Sequence, residues 1–196
     1  GPSVSPTAAF VDWELTVTMP PRLTADTGID ALTHAIEAYV SRKANPFSDT
    51  MALSAMRRIW TNIRTACRDG QDGAARAAMM QGATEAGMAF SNASVALVHG
   101  MSRPIGAFFH VPHGLSNAML LPEITAFSAP AALRRYAECA SAIGLAAAVE
   151  GDQATVARLV DALRALNREL DVPTPARFGI DRARYFEIAP AMAAQA

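Results

Sequence analysis

From Pro20-Pro21 onward, apolar positions recur at helical rather than alternating spacing, and the chain reads as a succession of helices. Ile29, Leu32, Ala35, Ile36 and Tyr39 form one stripe. They predict a helix running to about Ser41, with Thr24, Asp26 or Thr27 as its cap. A second helix is expected from about Pro46 to Arg68, since a first-turn proline has no intrahelical N–H bond to lose. A third, rich in Met, Ala and Gly, spans about 74–90 and ends at a loop or kink in Ser91-Asn92-Ala93-Ser94. The segment 95–109 reads as helix despite Pro104, which removes one intrahelical hydrogen bond and bends the rod, and Gly106. Helices are further expected at about 113–127, 130–143, 155–170 and 181–194, with Pro173-Thr174-Pro175 a loop between the last two.

Residues 8–18 break this pattern. Phe10, Asp12, Glu14 and Thr16 alternate with Val11, Trp13, Leu15 and Val17, which marks a single strand candidate. A lone strand cannot pair its edges, so its partners are expected outside this sequence. The expected fold class is therefore all-α, a helical bundle over 21–196. Residues 1–20 are expected to hold a tag remnant and the end of an interdomain strand or linker, because a start of Gly1-Pro2-Ser3 in place of Met resembles a tag scar or an internal fragment.

Composition narrows the class. A length of 196 residues suits one domain with a sizeable core. Half the residues (51%) are hydrophobic, many of them alanine, which favours helix and lets helices approach closely. The charged fraction of 18% is low, so either the core is large or part of the surface is an interface. A net charge of −1 with no basic block argues against nucleic acid as the main partner. Cys67 and Cys139 form no Cys-x-x-Cys and read as reduced core thiols, which predicts a cytoplasmic protein. No apolar run reaches the roughly 18 residues that a membrane helix needs, and no signal peptide is visible.

Two segments carry chemistry. Asp30 and His34 lie four apart and share one helical face; His99 and His113 follow, and these are three of the chain's four histidines. Each has a bland reading. Asp30/His34 alone fits a surface hydrogen-bonded pair. His99, among Ala96, Leu97, Val98 and Met101, fits a core histidine bonded to a carbonyl. His113, between Pro112 and Gly114, fits a helix start. Against this, Asp30 and His34 sit in the apolar stretch 29–40, and a buried carboxylate needs a partner, which a metal can supply. One carboxylate and three imidazoles suit a borderline divalent ion such as Fe²⁺ or Zn²⁺.

The motifs carry a resemblance. Thr27-Gly28-Ile29-Asp30-Ala31-Leu32-Thr33-His34-Ala35-Ile36-Glu37-Ala38-Tyr39-Val40 resembles the metal-binding helix of the iron-containing alcohol dehydrogenase family. Gly87-Met88-Ala89-Phe90-Ser91-Asn92, Leu97-Val98-His99-Gly100-Met101, Val111-Pro112-His113-Gly114-Leu115-Ser116-Asn117-Ala118 and Leu120-Leu121-Pro122 continue it, so that the similarity covers about residues 9–196. The resemblance implies a C-terminal helical metal-binding domain with Asp30, His34, His99 and His113 as ligands. It further implies an alcohol or aldehyde substrate, hydride exchange with NAD(P) in the full-length enzyme, and a homodimer. Four protein ligands would leave a further position for substrate or water, where the metal acts as a Lewis acid on the substrate oxygen.

Two departures follow. The family often carries a histidine near the nicotinamide where this chain has Arg103, which stays protonated and cannot be a general base. Proton relay is then expected from His110 or water, while Arg103 either binds an anionic substrate or pairs with an acid such as Glu85. No Gly-x-Gly turn for a pyrophosphate is present, and Asp12-Trp13 stands where the family has Asp-Pro. The N-terminal nucleotide-binding domain is thus expected to be missing and the chain inactive alone. Two other readings stay open: a metal-dependent hydrolase with Glu37 or His110 as base, and a non-catalytic helical domain with a structural metal.

Overall fold

The computed structural model describes residues 6–146 and 151–195. The Gly1-Pro2-Ser3 start lies outside the described residues. Among the described residues the secondary structure is entirely helical: α1 (Pro21–Val40), α2 (Pro46–Arg68), α3 (Gly73–Ala93), α4 (Leu97–Phe109), α5 (His113–Ser128), α6 (Leu133–Ala142), α7 (Asp152–Glu169), the short α8 (Pro175–Phe178) and α9 (Arg182–Ala193).

The strand expected over residues 8–18 is not formed. Trp13–Thr16 is a single 3-10 turn, capped by Asp12, whose carboxylate accepts from the Glu14 amide at 2.9 Å. With no neighbouring strand to pair with, this backbone satisfies itself locally, Val17 N–H donating to Glu14 C=O and Met19 N–H to Thr16 C=O. Trp13 packs instead on the start of α3, where a Cβ added at Gly73 would lie 2.7 Å from its ring.

Helix α1 begins one turn earlier than expected. Pro21 occupies its first turn behind an extended Pro20, so Thr24, Asp26 and Thr27 lie inside the helix and not at its cap. All three still take polar partners: Thr24 accepts from Arg76, Asp26 pairs with Arg22, and the Thr27 hydroxyl donates to the Leu23 carbonyl. α2 spans the expected residues, opened by a reciprocal box between Asn45 and Ser48. α3 runs through the expected kink at Ser91-Asn92 and breaks at Ser94, which adopts φ 69°. The expected 130–143 helix is divided: Ala129–Ala131 is a 3-10 turn and α6 starts at Leu133. The Pro173-Thr174-Pro175 loop gives rise to α8, with Thr174 as cap and Pro175 in its first turn.

α1 is the central rod. Thirteen of its twenty residues are buried, and it packs on α2, α3, α4, α5 and α6. Ile29, Leu32, Ala35 and Ala38 are fully enclosed, as are Ile59 and Ile63 of α2 and Leu159 and Leu166 of α7. Alanines at the contacts (Ala52, Ala55, Ala86, Ala89, Ala118) let the axes approach closely. A second, smaller cluster of Ile105, Val111, Leu115, Ile180, Ile188 and Met192 joins α4 and α5 to α9. One contact sets the position of α5. A Cβ at Gly114 would lie 2.6 Å from the Asp26 carbonyl oxygen, so only glycine allows the first turn of α5 to rest on the α1 backbone.

Candidate metal centre

Three helices converge on one point. α1 contributes Asp30 and, one turn on, His34; α4 contributes His99 in its first turn; α5 contributes His113 at its first residue. One donor atom from each of the four lies within 4.8 Å of the other three. Asp30 Oδ1 is 3.4 Å from His99 Nε2, 3.7 Å from His113 Nε2 and 3.9 Å from His34 Nδ1. Donors bound at about 2.1 Å to a tetrahedral ion stand roughly 3.4 Å apart, so a small inward movement would place all three imidazoles and the carboxylate around one cation. The His34 ring stacks on Phe90 at 4.4 Å and lies tilted against His99 at 4.2 Å, centroid to centroid.

Burial and hydrogen bonding act on these groups in different directions, and a metal would have to displace a proton from His99. Burial drives the His34 pKa down to about 4 against the pull of Asp30, so its 3.9 Å approach to the carboxylate is not an ion pair at neutral pH. Burial also opposes charge on His99, but hydrogen bonds to Asp30 and Glu37 outweigh it and raise that ring to about 9. Burial likewise works against the Asp30 carboxylate, and the His99, His34, Asn117 and His113 side chains together hold its pKa below the ordinary value. Fully buried Asn117, one turn beyond His113, aims its amide into the cluster. Its Nδ2 is 2.6 Å from Asp30 Oδ1 and 3.1 Å from the Nε2 atoms of His99 and His113. Asn117 Oδ1 is buried without a partner. The Asp30 carboxylate thus meets amide and imidazole N–H donors at a point where a cation would also be favoured.

The cluster opens on a cleft of about 490 Å³, lined by His34, His99 and His113 together with Lys43, Phe90, Asn92 and Arg103. Arg103 does not pair with Glu85, which takes Arg58 at 3.1 Å and Gln81 at 2.9 Å instead. His110 is not one of the cleft's lining residues; it is the left-handed residue that ends α4, with φ 56° and an exposed side chain. Glu37 is not free to act as a base. It is 2% exposed and turned onto His99 Nδ1 at 2.7 Å and onto the first amides of α4.

Sequence reasoning missed the structural parts played by Glu37, Asn117, Phe90 and Lys43. Helical spacing was the available signal for two of them: Glu37 is three residues after His34, and Asn117 four after His113. Phe90 and Lys43 arrive from other elements, and no local spacing marks them.

Three convergent helices thus present one carboxylate and three imidazoles close enough together that they could hold a metal ion. The chain belongs to the Fe-containing alcohol dehydrogenase family, whose C-terminal region it matches over residues 24–196. It is 40% identical over 184 residues to the NADPH-dependent butanol dehydrogenase of Clostridium saccharobutylicum, covering 93% of this chain and 46% of that protein. It is 43% identical to long-chain-alcohol dehydrogenase 1 of Geobacillus thermodenitrificans, covering 88% and 44% respectively. Its fold matches a crystal structure of 1,3-propanediol oxidoreductase with a TM-score of 0.89 at 35% identity, covering 94% of this chain and 47% of that one. The chain therefore spans about half the length of the curated relatives it matches. No helix among the described residues is long and apolar enough to cross a membrane.

Proposed function

We propose that this chain is the metal-binding half of a metal- and NAD(P)-dependent alcohol dehydrogenase or aldehyde reductase, with Asp30, His34, His99 and His113 as the metal ligands. The observation that carries the reading is the convergence of those four donors from three helices. A divalent ion held there, Fe²⁺ or Zn²⁺ by donor type, supplies Lewis-acid polarisation of the substrate oxygen. The chain's own residues do the rest. Buried His99 and Asn117 close the inner side, His113 lies on the open side with 49% of its side chain exposed, and Phe90 packs on the His34 ring. Substrate enters through the cleft that Arg103 and Lys43 flank, and these two cations favour an aldehyde or alcohol carrying a carboxylate or phosphate. Proton exchange falls to water, since His110 caps α4 outside the lining. NAD(P) belongs to the full-length enzyme, and this chain alone is expected to be inactive. Unpaired Cys67 and Cys139 fit a reducing, cytoplasmic compartment.

The test is metal content on the purified chain beside an Asp30→Ala/His99→Ala variant. About one equivalent of tightly held Fe²⁺ or Zn²⁺, absent from the variant, is the expected result. Equal metal in both would end the ligand assignment. Turnover of an alcohol with NAD(P) by the full-length enzyme, lost on chelation, separates the oxidoreductase from a hydrolase or a purely structural metal domain.

A further inference from the structure

Glu37 is an ionisable side chain buried in the middle of the bundle, 2% exposed, and no lysine or arginine pairs with it among the described residues. An isolated carboxylate in such a place is costly unless donors surround it. Three do. One oxygen accepts from the Val98 amide at 2.5 Å. The other accepts from the His99 Nδ1–H at 2.7 Å and, more weakly, from the His99 amide at 3.4 Å. The two amides belong to the start of α4, whose own N-cap residue, Ala96, offers no side-chain acceptor. Glu37 therefore caps α4 from another helix, where the exposed N–H groups and the helix dipole both favour a negative charge.

The same carboxylate fixes the ring that α4 delivers. By accepting the Nδ1–H hydrogen bond it leaves Nε2 as the ring atom facing Asp30, 3.4 Å away. We propose that Glu37 is the positioning residue of this centre: through one carboxylate it sets both the register of α4 and the Nε2-binding tautomer of His99, and thereby raises the affinity for metal. This rests on the metal reading given above. The placement follows from helix geometry. Asp30, His34 and Glu37 occupy one face of α1 over two turns, so the helix that supplies two candidate ligands also orients a third from outside the first layer. A bare capping role would need only the two amides. Yet the second carboxylate oxygen takes the imidazole at 2.7 Å in preference to the His99 amide at 3.4 Å.

The test uses the whole chain with Zn²⁺ and Co²⁺ as probes, comparing Glu37→Gln and Glu37→Ala with the unaltered protein. A chelator-competition titration reads affinity, the Co²⁺ visible spectrum reads ligand geometry, and circular dichroism of the metal-free forms reads folding. We expect Glu37→Gln to remain helical, to bind metal about 10–100-fold more weakly and to show an altered Co²⁺ spectrum. The same substitution in a His99→Ala background separates positioning from capping. If Glu37 acts through His99, it costs little further affinity there. An equal loss in both backgrounds would mean a merely structural cap and would overturn the proposal, as would wild-type affinity and spectrum in Glu37→Gln. The ¹⁵N shifts of the His99 ring in the metal-free chain give a readout that survives failure of the metal reading. Were the unaltered chain to bind no metal, unchanged ring shifts in Glu37→Gln would still overturn the assignment, and loss of the Nδ1–H···carboxylate signature would support it.

Discussion

The two sides of the cleft are built on opposite plans. On the inner side, His99 and Glu37 have side chains only 3% exposed and Asn117 is fully enclosed; all three are hydrogen-bonded to their neighbours, with only the Asn117 Oδ1 left without a partner. On the outer side, His113 has 49% of its side chain in solvent, and Arg103 is exposed with its head group free of any pairing among the described residues. Buried polar groups that are hydrogen-bonded are held in one geometry because losing a partner is expensive, whereas exposed ones are free to meet a ligand. On the proposed function, the enclosed residues would mainly hold the metal and the exposed cations would choose the substrate, with His113 a ligand on the open side, so the two groups should respond to substitution differently.

The largest expected effect breaks the inner side outright. Asp30→Ala/His99→Ala removes two of four donors, and we expect Fe²⁺ or Zn²⁺ stoichiometry by elemental analysis to fall to background. Loss of the metal should also lower the melting temperature of the loaded protein to that of the chelated one, since a ligand that binds only the folded form stabilises it.

The next comparison sets His99→Ala against His113→Ala with no metal present. Removing His99 leaves the Glu37 carboxylate without its imidazole donor and opens a hole beside His34, so a loss of about 3 kcal/mol is expected from denaturant melts. Removing the half-exposed His113 should cost under about 0.5 kcal/mol. Similar losses would mean that the two sides are not mechanically distinct.

Gly114→Ala probes how the sides are joined. Its Cβ would press on the Asp26 carbonyl, which is backbone and cannot swing away, so α5 must shift off α1 and carry His113 and Asn117 with it. Overpacking of this kind costs about 1–3 kcal/mol. We expect a matching drop in stability together with weaker metal binding, although no donor has been altered. Unchanged Zn²⁺ affinity would show that α5 reaches the cluster without this contact.

Much of this was legible before the fold was seen, for physical reasons. Asp30 and His34 share a helical turn, and the long periodic segments of α1, α2 and α7 bury strong apolar stripes, so local pattern and tertiary structure agree there. Where they part, context beyond the local window decides. Alternation over residues 8–18 reads as a strand, but a strand needs a neighbour, and among the described residues the segment folds into a 3-10 turn under Trp13. Ser91-Asn92 reads as a break, yet Asn92 bonds back to the Met88 carbonyl and α3 continues to Ala93. Glu37 was visible as a residue but not as a partner of His99, because 62 positions separate them and only the α1–α4 crossing brings them together. His110 had the right chemistry for a proton relay, and the left-handed turn that ends α4 leaves it off the cleft lining.

The smallest effect on the metal is expected from the outer side, and it is the one that bears on specificity. Arg103 and Lys43 line the cleft mouth, no Asp or Glu side chain lines it with them, and neither cation is a candidate ligand. Arg103→Ala should therefore leave stability within about 0.5 kcal/mol and Zn²⁺ affinity unaltered. Its consequence should appear only in the full-length enzyme and only for charged substrates. A carboxylate-bearing aldehyde should lose about 10-fold or more in kcat/KM, the scale of one charge-assisted hydrogen bond of about 1.5–3 kcal/mol, while a neutral aldehyde of similar length should change little. A Lys43→Ala variant should show the same selective pattern more weakly, since lysine offers a point charge in place of a bidentate fork. Equal losses on both aldehydes would place Arg103 among the groups that serve hydride transfer generally and would dissolve the division between a holding side and a choosing side. A loss of metal in Arg103→Ala would do so more directly, by showing that the exposed side also supports the ion.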